Sequence, residues 1–263
     1  MLNIDFRTRM LIRTMVSLLL MAATSLAYAQ QQVPNGGFEL WDLAGERTEP
    51  KGWNSLMSAD LCLLCSFGAS QRVFYDKRTA SGKGTCIRIE STKAIGGVIV
   101  NGSVTTGRVT APSVIPHQGY NRTVKAEPEF RSYFSAKPDS LVFWAKYSIL
   151  DKSDSALVSF LLHDDIEMTD PPRPGNANKP VALAQKAFQT RGKWQRISIP
   201  FSYSAGDKTR VKYLLATFAS SFQAGKGNST ATLWIDDVEL IYNDPERSVG
   251  GQTASNGQIS LIR

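Results

Sequence analysis

The residues of this chain with the most specific potential chemistry are three cysteines, two histidines and one acidic run. Cys62 and Cys65 have C-x-x-C spacing, and Cys86 stands alone. A redox pair of that spacing opens a helix in a βαβ unit, and the flanking residues suggest neither. Zinc needs a second ligand pair, whereas His117 and His163 share no ligand-like spacing. One disulfide plus one buried thiol is therefore expected, with the pairing among Cys62, Cys65 and Cys86 left open. Asp164, Asp165, Glu167 and Asp170 form the acidic run. Glycoside hydrolysis uses two carboxylates about 5–5.5 Å or 6.5–9.5 Å apart, whereas sequence neighbours on a loop are usually just solvated. No G-x-S-x-G elbow, H-E-x-x-H pair or phosphate-cradling glycine loop occurs. Glycosidic hydrolysis is the one enzymatic reading left, and no residue can be assigned to it.

Sugar binding makes different demands. Sugars offer apolar C–H faces to aromatic rings and hydroxyls to polar side chains, so a site needs exposed aromatics among polar groups. Of five tryptophans, Trp41 and Trp53 belong to the motifs near the start of residues 30–243 and read as core. Trp144 differs. Leu141, Phe143, Ala145 and Tyr147 alternate to one face, and Val142, Trp144 and Lys146 to the other. Trp144 reads either as a sugar platform or as second-layer packing. Lys146, His163, Asp164 and Tyr120, from strand ends and a long loop, complete the candidate ligand-binding set. His163 reads first as a satisfied sheet residue.

The elements that must hold these side chains are strands. Short β-branched and aromatic runs recur at Gln71–Tyr75, Thr85–Ser91, Leu141–Ile149, Ala156–His163, Val181–Gln189, Trp194–Ser202, Arg210–Ala219 and Thr230–Tyr242. Their spacing, with turn residues between, predicts an all-β fold, an antiparallel β-sandwich of jelly-roll, galactose-binding-like type. Pro200 places its strand at an edge or a bulge. Asn101–Glu129 and Asp164–Pro180 read as long loops of functional length. One domain over residues 30–243 is expected, with a fraying tail over 244–263.

Residues 1–29 read as a cleavable signal peptide. Arg13 precedes nine apolar-core residues, Met15 to Ala23, and a small-x-small pattern ends at Ala29. That core is too short to cross about 30 Å of hydrocarbon. An exported protein follows, periplasmic, cell-surface or extracellular, with no transmembrane segment in the mature chain. The net charge of +7 falls to +5 without residues 1–29, which hold three Arg and one Asp. The remaining basic residues are scattered rather than clustered, which argues against nucleic acid as a partner.

The two ends of residues 30–243 carry the most specific motifs. Pro34-Asn35-Gly36-Gly37-Phe38-Glu39 precedes Trp41, and Pro50-Lys51-Gly52-Trp53 follows. Trp234-Ile235-Asp236-Asp237-Val238 stands near the other end, and Phe143-Trp144-x-Lys146-Tyr147, Ile199-Pro200-Phe201 and Ser220-Ser221 lie between. This set resembles the bacterial carbohydrate metabolism domain family, which is similar to calcium-containing jelly-roll carbohydrate-binding modules. The resemblance spans Val33 to Tyr242. It implies a structural calcium held by Glu39 and Asp236, with carbonyls of Gly82 or Lys83 and with Asp76 as a third carboxylate. Calcium takes about six to eight oxygens in tolerant geometry, which suits such a set.

A secreted, non-catalytic carbohydrate-binding domain with a glycan or polysaccharide partner is thus the leading expectation. A glycoside hydrolase using loop carboxylates and a cell-surface protein-interaction module are the alternatives.

Overall fold

The structure is a computed structural model that describes residues 30–42, 48–63, 65, 71–77, 84–150, 154–173, 179–204 and 210–243. The signal-like segment, the tail, Gly82 and Lys83 lie outside them.

All eight expected strands form. Leu141, Phe143, Ala145 and Tyr147 alternate with outward residues, so Ser140–Ser148 can cover a core with one face only. It pairs antiparallel with Gln195–Pro200 on one side and Thr232–Ile241 on the other. Cys86–Glu90 and Val73–Asp76 complete this five-stranded sheet. Gln195–Pro200 is its edge, so Pro200, which has no N–H to give, stands where the sheet tolerates it. We call this the terminal sheet.

The second sheet runs Ser132–Tyr133, Tyr213–Ala219, Ala156–His163, Ala182–Phe188, Ser202–Tyr203, with Ser103–Thr105 sharing the outer edge of Tyr213–Ala219. Val158, Phe160 and Leu162 face Leu141, Phe143 and Ala145 across a common core. Trp53, Phe143, Phe160 and Phe218 meet there edge-on or tilted, with ring centroids 5.2–6.5 Å apart. Two sheets packed face to face in this way make a β-sandwich.

A third layer lies over the outer face of the second sheet. Asn101–Glu129, expected to be a loop, folds into Ser103–Thr105, Arg108–Ala111 and Tyr120–Arg122. The last two join Leu61–Cys62 and Thr169–Asp170 in a four-stranded sheet. Strands this short, with polar residues and distant partners, leave no alternation to read. The cover explains why Ala156–His163 is buried on both faces: Leu161 packs on Met168 and Leu215.

The beginning and end of the described chain are neighbours. Gly36 O accepts the Val238 N–H at 2.9 Å, and the Gln32 side chain exchanges two hydrogen bonds with Leu240. A bulge makes this docking possible. Val142 pairs with Glu239 and Trp144 with Asp236, so Asp237 and Val238 together face Phe143. Asp237 has φ of 48°, and the extra residue releases the Val238 N–H from the ladder toward Gly36.

The open pairing of cysteines resolves as Cys62–Cys65, with Cys86 free and buried. No helix among the described residues is long and apolar enough to cross a membrane.

Candidate functional site

The outer faces of the two sheets differ in chemistry. On the terminal sheet, registered neighbours set Phe74, Arg88, Trp234 and Lys146 in one row, with Trp194 beside Lys146. Arg88 lies 4.6 Å from the Phe74 ring centre, and Lys146 Nζ lies 3.7 Å from Trp234 and 6.0 Å from Trp194. The next row holds Asp76, Cys86, Asp236, Trp144 and Arg196. Trp144 and Lys146 thus point outward, as the alternation predicts. The aromatic faces beside Lys146 and Arg88 are occupied by the protein's own cations.

The candidate partners of Trp144 lie elsewhere. Ser140–Ser148 and Ala156–His163 follow each other in sequence but belong to different sheets. His163, fully buried, stacks on Tyr213 with centroids 5.5 Å apart. Its Nδ1–H donates to the Asp164 carbonyl at 2.9 Å, which leaves Nε2 to accept the Thr123 hydroxyl at 2.9 Å. Burial holds its pKa down at about 4, so the ring is a neutral structural tie between the second sheet and its cover. Asp164 caps the Asp165 N–H, and Asp165 sits between Lys125 and Lys212, which pull its carboxyl down to about 2. Tyr120 is in the cover layer, with Arg173 5.0 Å over its ring. The candidate ligand set is therefore divided between two faces.

Of the implied calcium set, Glu39, Asp76 and Asp236 stand near the start of Cys86–Glu90, and Gly82 and Lys83 lie outside the described residues. Glu39 Oε1 accepts the Thr85 N–H at 3.0 Å, and Oε2 meets the Thr85 hydroxyl at 3.3 Å. Gly84, with φ of +82°, admits this carboxylate: a Cβ there would fall 2.1 Å from Glu39 Oε1. Asp236 is 1% exposed and follows Ile235, the partner of Ile87, which puts it beside Cys86. Burial, with Asp76 and Asp236 nearby, pushes the Cys86 thiol up to about 12. Glu39 and Asp236 thus flank the start of one strand, and their oxygens suit a hard cation. Asp76 fits less well, because its Oδ2 accepts Trp234 Nε1 at 3.1 Å and lies 3.7 Å from Arg88 Nε. Among the described residues, no three His, Cys, Asp or Glu side chains are grouped to hold a metal.

A feature not anticipated from sequence lies on the outer face of the second sheet. Gln185, Ser159, Thr217 and Thr105 stand opposite one another on four neighbouring strands, a polar row across an otherwise apolar surface. Gln185 Nε2 donates to Ser159 Oγ at 3.2 Å, and Thr217 Oγ1 donates to Thr105 Oγ1 at 3.3 Å. The cover layer adds two groups from above. Asn121 donates to Thr217 Oγ1 at 3.1 Å, and Asp170 accepts from the Ser159 hydroxyl. Burial raises the Asp170 carboxyl above its usual range, against the opposing Ser159 bond.

Beside this row the two layers part to leave a cavity of about 280 Å³. Leu56, Val100, Val109 and Ala111 form one wall. Leu157 and Ala219, the apolar rung next to the polar row, form part of the floor. Phe222, 53% exposed, stands at the lip. Asn101 also lines the cavity; its side-chain oxygen is buried without a hydrogen-bond partner among the described residues. The signal available in sequence was the intrusion of Ser159, Thr217 and Gln185 into apolar strands. The arrangement is a concave, mostly apolar chamber with convergent amide, carboxyl and hydroxyl groups, the make-up of a small-molecule or sugar site.

No family model matches the chain, and no curated protein does. Among solved structures, a family 61 carbohydrate-binding module in complex with β-1,4-galactotriose is similar at 11% identity and TM-score 0.35, covering 79% of this chain and 95% of that one. The family 11 module of the cellulosomal cellulase Lic26A-Cel5E of Clostridium thermocellum is similar at 11% identity and TM-score 0.31, covering 77% and 92%. A Stig cyclase of Fischerella sp. TAU is similar at 12% identity and TM-score 0.39, covering 81% and 97%.

Proposed function

We propose that the protein is a carbohydrate-binding β-sandwich of a bacterial glycan-handling system, exported and non-catalytic, whose sugar site is the cavity on the second sheet. The observation that carries this reading is the convergence of Gln185, Asn121 and Asp170 on one apolar-walled chamber. Planar amide and carboxyl groups match pairs of sugar hydroxyls, and apolar walls match ring C–H faces. Binding is favoured over hydrolysis because Asp170 is the one carboxylate among the described lining residues, and glycoside hydrolysis commonly uses two. Retention on immobilised polysaccharides tests the reading. Gln185→Ala and Asp170→Ala lose retention, and Trp144→Ala keeps it. Loss in Trp144→Ala with retention in Gln185→Ala would move the site to the terminal sheet.

A structural calcium is part of the same proposal, with Glu39 and Asp236 as its carboxylates and Gly82 or Lys83, outside the described residues, as the source of carbonyls. Its role is to neutralise carboxylates where the two chain ends meet. A cation at 100 times its dissociation constant raises stability by about 2.7 kcal/mol. Calcium should therefore raise the melting temperature of the EDTA-treated protein, and Asp236→Asn should abolish the increment. An equal response in the variant counts against this site.

A further inference from the structure

A second cavity, whose chemistry is independent of the sugar-binding reading, measures about 420 Å³ and shares no lining residue with the cavity on the second sheet. It lies between the ribbon of Trp41–Asp42 and Glu49–Pro50 and the edge strand Ser132–Tyr133. Asp42 and Glu49 are registered partners on that ribbon, so their carboxylates stand on one face of it, and both line the cavity. Like charges placed directly opposite cost stability. No ion pair offsets this one among the described residues.

Glu49 is 7% exposed, and its Oε1 accepts the Ser55 N–H at 2.6 Å, the Ser55 hydroxyl at 2.5 Å and the Ser58 hydroxyl at 3.0 Å. These three donors fix the carboxylate, while Oε2 receives no hydrogen bond among the described residues. Asn54, 4% exposed, lines the same cavity. Both hydrogens of its amide go to backbone carbonyls, of Gly107 at 2.9 Å and Glu129 at 3.0 Å, which leaves Oδ1 with free lone pairs. Buried oxygens without donors favour a ligand that brings them, and a primary ammonium brings three and no acceptor. The opposite charge is present too. Arg131, partly buried, gives one hydrogen bond, to the Lys125 carbonyl, and Lys51 is exposed; neither pairs with Asp42 or Glu49. A stacked sugar fits less well. Trp53 is fully buried, and Tyr133 already carries Arg131 at 4.9 Å and Tyr213 at 5.1 Å, so a sugar ring would have to displace one of them.

We infer that this cavity is a second ligand site and takes a small zwitterion, a free amino acid or a short peptide. Its ammonium is held by Glu49, Asn54 and Asp42, and its carboxylate by Arg131 and Lys51. The ammonium contact is the stronger, because Glu49 is buried whereas Lys51 is exposed and Arg131 only partly buried.

The test is isothermal titration calorimetry of the full chain with each of the common amino acids and with dialanine. At least one should bind saturably, and the best of them is then compared with its N-acetyl and C-terminal amide forms. Removing the ammonium should weaken binding about thirtyfold or more, because it leaves a buried charge without its partner. Removing the carboxylate should weaken it up to about fivefold, as at exposed ion pairs. Glu49→Gln keeps an oxygen for Ser55 and Ser58 and should lose as much as N-acetylation does. Asp42→Asn, at an exposed position, should weaken binding up to about fivefold and decides the matter if Glu49→Gln does not fold. The inference is overturned if no probe binds, or if the N-acetyl or amide form binds as tightly as its parent. It is equally overturned by unchanged binding in Asp42→Asn or in folded Glu49→Gln.

Discussion

Lowering the pH should unfold this protein partly through one ring. His163 is fully buried, tied to the Asp164 carbonyl and the Thr123 hydroxyl and stacked on Tyr213, with a pKa near 4 against an ordinary value of 6.5. Above pH 6.5 the ring is neutral in the folded and unfolded chains, and the group adds no pH dependence. Between pH 6.5 and about 4 the unfolded chain takes up a proton that the folded chain refuses, so stability falls as the pH falls. At pH 4 the penalty amounts to about 3 kcal/mol. For a domain of this size that is about 6–12 °C in melting temperature. Burial is the main cause; the hydrogen bond to the Asp164 carbonyl and then the Asp164 carboxylate oppose it, and Lys125 assists it. Surface carboxylates such as Asp165 also lose their partners in acid, so the wild type alone is ambiguous. The assay is therefore chemical denaturation of wild type and His163→Gln at pH 7.5 and pH 4. The variant loses two hydrogen bonds at both pH values, a constant offset. The stability gap between the two chains should narrow by about 3 kcal/mol in acid, because only the wild type pays the proton penalty. A gap that stays constant between the two pH values would refute a buried neutral His163.

One substitution and one labelling reaction probe the frame that holds the sites. Gly36→Ala should destabilise by about 2 kcal/mol or more, since its Cβ would fall 2.3 Å from Val238 O and force the opening turn off the last strand; unchanged denaturation would show that the two ends do not dock this way. Native protein should not react with a thiol reagent, because Cys86 is buried and its thiol is pushed up to about 12; denatured, unreduced protein should show one thiol. Three thiols without reductant would remove the Cys62–Cys65 bridge.

What the sequence made legible follows from what leaves a local trace. Long strands of β-branched and aromatic residues do so: Ala156–His163 matches its expected bounds, and of the edge or bulge that Pro200 implied, the structure has the edge. The outward aim of Trp144 and Lys146 followed from alternation alone. The partners assigned to them did not hold together in space, because successive strands here cross between sheets and alternation says nothing about which sheet receives the next strand. The cover layer was invisible for a related reason. Arg108–Ala111 and Tyr120–Arg122 are too short for a period, and Leu61–Cys62 pairs with Arg108–Ala111 across nearly fifty residues of chain. The polar row left single polar residues in apolar strands, but their alignment depends on register between four strands, and register is a tertiary property.

The contrast between the two outer faces bears on where a ligand can bind at all. A sugar stacked on Trp234 would first have to displace Lys146 from 3.7 Å above the ring, giving up about 0.5–1 kcal/mol or more of cation–aromatic attraction. It would meet the same competition from Arg88 at Phe74. That row therefore reads as cross-strand bracing on the sheet that also joins the two ends of the chain. On the second sheet the relation is reversed. The hydroxyls of the row are committed to one another and to the cover layer, whereas the Gln185 and Asn121 amides each give one hydrogen bond to it, and the cover layer stands off far enough to leave a chamber. Amides and carboxyls with bonds to spare, held at fixed spacing by four strands, gain from a ligand's hydroxyls without first losing an internal partner. If this reasoning is right, Lys146→Ala weakens the terminal sheet and leaves glycan retention intact, whereas Gln185→Ala abolishes retention at unchanged melting temperature. The opposite pairing of effects would assign bracing and binding to the wrong sheets.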